Sequence, residues 1–144
     1  MNIKIEAYSQ GPRIFRPQVL KEHPDTPVRL SMSPKMKYDR ANDMIGFQLD
    51  IDGEVDEARV LKFGFLLAMT AEGIRENLSV LEEDSTERTE ILSLLSETVL
   101  KVATGAVASF TATEEMPGLV LPNVDISEFA KTIILQPVKQ SKDQ

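Results

Sequence analysis

The sequence predicts an α+β fold, because segments with the period of strands come first and segments with the period of helices follow. Three runs alternate apolar with polar residues, namely Asn2–Ser9, Val28–Asp39 and Ile45–Asp52. Between Thr86 and Phe110 apolar residues instead recur with helical spacing and fill roughly half of the helical circumference. A shorter helical stripe begins at Asp125. This order of strands before helices is typical of α+β domains.

Composition excludes several classes of function. The chain has 144 residues, no Cys, one His and a formal net charge of −7. A thiol nucleophile, a disulfide framework and the usual Cys/His zinc sites are therefore excluded by inventory. The acidic charge argues against a nucleic-acid partner, whose phosphates require clustered Lys and Arg. Without a signal-peptide pattern or a run of about 20 apolar residues, we expect a cytoplasmic protein with no membrane insertion.

The segment from Gly11 to Pro27 contains four prolines, each of which lacks an amide donor. The sequence therefore predicts a long ordered loop in this place rather than regular structure. Four apolar side chains within it are expected to pin the loop to the core: Ile14, Phe15, Val19 and Leu20.

Turn signals divide the rest of the predicted sheet. Residues 41–43, Ala-Asn-Asp, predict one turn, and Asp52-Gly53 predicts a tight hairpin turn. The run Ala58–Ile74 is apolar on both alternations at its centre, which indicates an inner strand covered on two faces. A helix is the competing interpretation of this run. The preceding hairpin turn, the two glycines and the β-branched content favour a strand.

Capping signals mark the two helices. Asp84 with Glu87 predicts the start of the long helix, and residues 116–118, Met-Pro-Gly, predict its end. A second capping box, Asp125 to Glu128, opens a short helix whose apolar stripe extends to Ile134. The wide apolar arc of the long helix predicts a second contact beyond its own sheet, with another chain or a ligand. Alternatively, the second helix and the loops of this chain cover the arc.

The sequence contains no convincing catalytic or metal motif. Aligning Gly53 with the glycine of an EF-hand loop places Gln48 at the first ligand position and Arg59 at the last, where a bidentate Glu is required, so that motif fails. The carboxylates of the acidic run 50–57 are interpreted as a solvated hairpin surface, or as a docking surface for a basic partner. His23 lies in the proline-rich segment, and neither a Gly-x-Ser-x-Gly motif nor a phosphate loop is present. We therefore expect a protein without catalytic activity, metal or cofactor.

Two stretches carry a resemblance to a known family. Residues 67–74, Leu-Ala-Met-Thr-Ala-Glu-Gly-Ile, are similar to the last strand of the SecB-type export chaperones. Residues 116–129, Met-Pro-Gly-Leu-Val-Leu-Pro-Asn-Val-Asp-Ile-Ser-Glu-Phe, resemble their helix-connecting loop and second helix. With the order of the elements, the likeness extends over about residues 3–135.

The resemblance implies a single SecB-like domain over residues 1–137 and a flexible tail over 138–144. It implies a four-stranded antiparallel sheet with a long and a short helix on one face, and assembly into a homodimer or homotetramer. It also implies surface grooves for unfolded or preprotein segments and an export motor as a further partner. The polypeptide-binding positions carried over are Leu119, Val120, Leu121 and Val124, with Met69 and Ile74 added.

Three functional hypotheses follow. The first is a SecB-like molecular chaperone that binds unfolded client segments in hydrophobic grooves without a covalent step. The second keeps the same fold but dedicates the groove to one protein partner, of antitoxin or regulatory type. The third is a small-molecule or lipid carrier whose ligand lies between the sheet and the long helix.

Overall fold

The computed structural model describes residues 1–136, and its base is a five-stranded sheet of order β1-β4-β3-β2-β5. The strands are β1 (Ile3–Phe15), β2 (Arg29–Asp39), β3 (Met44–Val55), β4 (Ala58–Ala71) and β5 (Ile134–Leu135). The helices are α1 (Pro17–Glu22), α2 (Leu78–Leu81), α3 (Thr86–Thr111) and α4 (Ile126–Lys131), and a 3₁₀ turn spans Arg75–Asn77. The predicted α+β class is confirmed.

The prediction of four antiparallel strands is wrong, because the sheet is mixed. Strands β1 to β4 are antiparallel, but β5 pairs with β2 in parallel, with Ile134 opposite Lys35. The short helix was also predicted to extend to Ile134, but that residue belongs to β5. Helix α4 ends at Lys131, and the amide of Gln136 then donates to the carbonyl of Met36 at 2.8 Å.

The core lies between one face of the sheet and α3. Alternate residues of β3 and β4, such as Phe47 and Phe63, are fully buried there. On α3 the buried apolar residues recur every three or four positions and form one stripe, which consists of Leu92, Leu95, Val99, Ala103 and Val107. Fully burying a side chain of this size contributes about 1.5–3 kcal/mol, so this stripe fixes the helix on the sheet.

The hairpin between β3 and β4 turns later than predicted. The turn residues are Asp56 and Glu57, both with positive φ angles of 47° and 67°, and not Asp52-Gly53. Gly53 instead lies inside β3 and pairs with Leu61. A Cβ atom at Gly53 would lie 3.1 Å from Leu30 Cδ2 and 3.3 Å from Leu61 Cβ, so the position serves close packing. The predicted turn at residues 41–43 is confirmed.

Strand β4 confirms the preferred interpretation of residues 58–74, although only one of its faces is fully covered. Leu66 on the opposite face remains 40% exposed in the described chain. The expectation that both faces of this strand are covered is therefore wrong at this position.

The proline-rich segment is more regular than predicted. Strand β1 continues beyond Ser9 to Phe15, and α1 begins at Pro17. Pro12 is tolerated because the β1 ladder slips between Gln10 and Arg13, and Pro17 starts a helix, where no amide donor is needed. Of the four expected anchors, Phe15 packs against the core and Ile14 is 36% exposed. Val19 and Leu20 are half-buried.

Helix α3 begins as predicted at Thr86, but its cap is Ser85, whose side chain accepts from the amide of Arg88, and not Asp84. It ends at Thr111, before the predicted Met-Pro-Gly stop, because the backbone of Ala112 adopts an extended conformation. By length and composition alone α3 is also apolar enough to cross a membrane, but its buried stripe belongs to the core. The apolar residues of the predicted wide arc are all buried or half-buried within residues 1–136, which favours the alternative that this chain covers its own arc. Leu94, which is 42% exposed, lies outside that arc.

The tail predicted for residues 138–144 lies outside the described residues. The boundary of a single domain at residue 137 stays a prediction.

Candidate functional site: a groove beside the helix-connecting loop

The loop that joins α3 to α4, residues 112–125, is folded back by its own side chains. The hydroxyl of Thr113 accepts from the amides of Glu115 at 3.3 Å and Met116 at 3.1 Å. The amide of Thr113 in turn donates to the carbonyl of Met116 at 3.0 Å. This compact turn reverses the chain directly after α3, so that Pro117 and the following residues run back along the helix.

Gly118 is the point of closest contact between this loop and α3. A Cβ atom there would lie 2.0 Å from the carbonyl oxygen of Ala108, so any residue other than glycine would overlap the helix backbone. The next amide, of Leu119, donates to the hydroxyl of Thr111 at 2.6 Å, and that hydroxyl donates to the carbonyl of Val107 at 2.8 Å. Thr111 is fully buried. The loop is therefore held against α3 in one position.

Beyond Gly118 the loop forms one wall of an open apolar furrow, which we call the connector groove. It consists of two adjoining cavities of about 470 Å³ and 340 Å³, both lined by Met32, Pro122 and Val124. The larger cavity lies toward α3, where Leu100 contributes, and the smaller one lies toward α4, where Phe129 contributes. Strand β2, α3, α4 and the loop thus meet along one groove.

The residues predicted to bind polypeptide fall into two groups. Val120, Leu121 and Val124 line the connector groove, and Val120 is 78% exposed. The other three do not line it: Leu119 is half-buried against the core, and Met69 and Ile74 lie within the core. No contact with a ligand tests any of these assignments, so all six stay predictions.

Sequence reasoning missed the groove residues supplied by other elements. Met32 and Leu30 come from β2, and their alternation signalled only a buried face of a strand. Phe129 was recognised as part of the apolar stripe of α4, which gave no sign that its edge faces a groove. No local pattern connects β2 with the loop, because they are about 90 residues apart and meet only in the folded sheet.

The rim of the connector groove is acidic. Among residues 1–136, Glu97, Asp125 and Glu128 line it with a single cation, Lys101. Asp125 caps α4 by accepting from the amide of Glu128 at 3.1 Å. That hydrogen bond, with a second one from the Ser127 hydroxyl, holds the pKa of the Asp125 carboxyl below its ordinary value, so this rim charge persists into mild acid.

Within residues 1–136, His23 and the acidic residues of the β3–β4 hairpin do not come together in a catalytic or metal site. His23 Nδ1 lies 3.0 Å from the carbonyl of Val19, and its Nε2 lies 3.6 Å from Asp56. Asp50 accepts from Gln48, and Asp52 lies 3.7 Å from Arg59. Within residues 1–136, no three His, Asp or Glu side chains are grouped so as to hold a metal ion.

Four antiparallel strands with the short parallel strand β5 at one edge, followed by a long helix, a Pro-Gly loop and a short helix, form a SecB-like fold, and the predicted resemblance is confirmed at the level of the fold. The chain is similar to the Mycobacterium tuberculosis SecB-like chaperone Rv1957, solved with a ChAD peptide from the HigA1 antitoxin Rv1956. The TM-score is 0.54 at 13% identity, over 85% of this chain and 90% of that one.

A protein of unknown function from Streptococcus agalactiae aligns more loosely, with a TM-score of 0.39 and 14% identity over 85% of this chain and 98% of that one. No family model and no curated protein matches the sequence.

Proposed function

We propose that this protein is a SecB-like binding protein that holds unfolded, extended polypeptide segments in the connector groove, with no covalent step and no cofactor. The observation that carries the proposal is the open apolar groove beside a rigidly held loop, with Val120 78% exposed at its edge. Contiguous apolar surface of this kind is costly to leave in water and is typical of interaction sites.

The chemistry of the groove suits an extended segment with alternating side chains. Met32, Leu100 and Val124 offer apolar surface, and burying a client side chain of Leu or Val size there contributes about 1.5–3 kcal/mol. The acidic rim attracts Lys or Arg of the client and disfavours acidic segments. The preferred client is therefore an unfolded segment that combines bulky apolar with basic residues.

A second candidate keeps the groove and restricts its partner. The solved Mycobacterium tuberculosis SecB-like chaperone is bound to a peptide from an antitoxin. That complex favours a groove dedicated to one protein, of antitoxin or regulatory type. A general chaperone and a dedicated one differ in how many sequences the same groove accepts.

We further propose a cytoplasmic homodimer or homotetramer. Strand β1 is an edge of the sheet and is exposed along most of its 13 residues, including Ile5 at 42% and Tyr8 at 38%. Such an edge offers unpaired backbone donors and acceptors to a second chain. Leu94 on α3 adds a second exposed apolar surface. Docking to an export motor rests on the resemblance alone.

The first experiment measures peptide binding by fluorescence anisotropy with Val120→Asp. The probe is a labelled unstructured peptide that alternates Leu with Arg. Val120 is exposed, so the variant folds normally, while a carboxylate at the groove edge opposes apolar burial and lowers affinity about tenfold or more. Gln18→Asp, which adds the same charge on exposed α1, is the matched control and leaves binding unchanged. Equal affinity of Val120→Asp and the parent would contradict the proposal.

The second experiment separates general from dedicated binding. Suppression of aggregation of several unrelated unfolded proteins, lost in Val120→Asp, supports the general chaperone. One stoichiometric partner recovered from cytoplasm, with no effect on unrelated clients, supports the dedicated version. If neither activity depends on Val120, the connector groove is not the site.

A further inference from the structure

A second cavity lies at the other end of β2, away from the connector groove. Its volume is about 540 Å³, which falls in the range of pockets for small organic ligands. The end of β2, helix α2, the first turn of α3 and strand β5 enclose it. None of the residues that the structure describes lines both this cavity and the connector groove.

The floor of this cavity is apolar. Met36, Tyr38 and Leu81 are buried at its base, and Leu78 and Leu135 form half-buried walls. Apolar side chains in a concave pocket bind the hydrocarbon part of a ligand, and a few polar groups at the rim orient it.

The rim of this cavity is basic, against the charge of the whole chain. Among residues 1–136, Arg40 and Arg88 line it with a single carboxylate, Glu82, in a protein of net charge −7, whereas the side chain of Lys37 lies on the opposite face of the sheet beside Gly46. Within residues 1–136 neither arginine forms an ion pair with another side chain. An excess of unpaired positive charge around an apolar floor is complementary to an anion with a hydrocarbon body.

Arg88 is placed where helix formation alone disfavours it. It belongs to the first turn of α3, in which its amide donates to the Ser85 cap at 3.2 Å. The amides of a helix N-terminus present positive partial charge, so a cation there is destabilising and an anion is stabilising. A bound anion beside Arg88 would relieve that repulsion and would gain from the same helix end.

The wall that carries Arg40 is fixed by a small polar network. Arg75 donates to the carbonyl of Arg40 at 2.9 Å and to the hydroxyl of Tyr38 at 3.2 Å. The Tyr38 hydroxyl donates in turn to Asp43. Burial, followed by the hydrogen bond to Asp43, raises the pKa of Tyr38, so its ring stays neutral in the floor. The pocket is thus organised before any ligand arrives.

We propose that this cavity binds a small amphipathic anion, a carboxylate with an unbranched hydrocarbon chain, whose chain lies over Tyr38 and whose carboxylate pairs with Arg40 and Arg88. The site is separate from the connector groove, and its occupation does not depend on polypeptide binding.

Tyrosine fluorescence reports on this cavity directly. The protein has no Trp and two Tyr, so in a Tyr8→Phe background all emission comes from Tyr38. Decanoate, titrated below its micelle concentration, is expected to change this emission with one-to-one saturation. Decanol has the same chain without the charge, and its affinity is expected to be lower by at least about tenfold.

Substitutions at the rim test the assignment of the cations. Arg40→Gln with Arg88→Gln is expected to weaken decanoate binding about tenfold or more, because charge-assisted hydrogen bonds are lost. Arg88→Gln also removes a cation from the start of α3, so the double variant folds at least as stably as the parent. The matched control is Arg16→Gln, beyond the opposite edge strand β1, which leaves the affinity unchanged. Val120→Asp also leaves it unchanged, so this test and that of the connector groove fail independently.

Three results would overturn the proposal. The first is no saturable change of Tyr38 emission with decanoate. The second is equal affinity for decanoate and decanol, or for the double variant and the parent. The third is binding of an acidic peptide that alternates Leu with Glu, dependent on both arginines, in a protein that does not bind decanoate.

Discussion

Gly118→Ala tests the contact that positions the connector groove. The new Cβ would lie 2.0 Å from the carbonyl oxygen of Ala108 and 2.7 Å from its carbon, both of them backbone atoms of a packed helix. Because α3 is fixed by its buried stripe, the loop must move instead, by about 1 Å or more to reach an ordinary contact distance. A shift of that size stretches the 2.6 Å hydrogen bond from the Leu119 amide to Thr111 beyond useful length.

The cost follows from two losses. Losing the hydrogen bond to Thr111 removes about 0.5–1.5 kcal/mol. Leu121 follows Gly118 by three residues and is 7% exposed, so partial withdrawal from the core removes a further share of the roughly 1.5–3 kcal/mol that a buried Leu contributes. We expect the free energy of unfolding to fall by about 2–3 kcal/mol.

Urea unfolding followed by circular dichroism measures this loss. With the slope of a protein of this size, the midpoint is expected to fall by roughly 1–2 M. Gly46→Ala is the matched control, because a Cβ there meets Lys37 Cγ at an ordinary 3.6 Å near the start of β3. That variant should unfold within about 0.5 kcal/mol of the parent or above it. Equal midpoints for Gly118→Ala and the parent would refute the close contact.

Three further predictions concern the same elements. Thr111→Val, which keeps the shape of the side chain but leaves the Leu119 amide without its acceptor, should lower stability by about 1–3 kcal/mol in urea unfolding and should be non-additive with Gly118→Ala. Asp125→Ala should weaken α4 in thermal unfolding, whereas Asp125→Asn, which retains a capping oxygen, should not. Because the pKa of Asp125 is lowered on folding, the stabilisation from its charge is complete above the ordinary value of 3.8 and is lost as pH falls through the folded-state pKa. The stability difference between the parent and Asp125→Ala should therefore shrink only in that acid range. Ile5→Lys with Leu94→Glu should convert an oligomer to a monomer in native mass spectrometry without lowering monomer stability, because both side chains are exposed in the single chain; an unchanged mass would locate assembly elsewhere.

The elements with long, consistent periodicity could be predicted from the sequence. Helix α3 begins at the predicted residue, and β3 alternates as expected because one face is buried and the other is wet. Strand β4 could be distinguished from a helix by its β-branched and aromatic residues and by the hairpin turn before it, although that turn lies at Asp56-Glu57 and Gly73 lies beyond the strand. In each case the local pattern and the tertiary contact agree, which is why local reasoning succeeds.

The remaining features depend on tertiary contacts that no short pattern encodes. Asp52-Gly53 has the composition of a hairpin turn, yet close packing against Leu30 needs that glycine inside the strand, and Asp56-Glu57 accepts the positive φ angles instead. Strand β5 has two residues, so its pairing with β2 leaves no periodic signal. The connector groove was predictable only at its loop, through the family resemblance, since Met32 and Phe129 reach it from distant parts of the chain.

The position of β1 has a consequence for biosynthesis. Within residues 1–136 its one sheet neighbour is β4, and Ile3 pairs with Ala71 about 70 residues further along the chain. At synthesis rates of 5–20 residues per second, the N-terminal strand waits for about 4–14 s before its partner has been made. The nascent chain therefore leaves Ile5 and Tyr8 of this strand without their sheet partner until β4 has been synthesised.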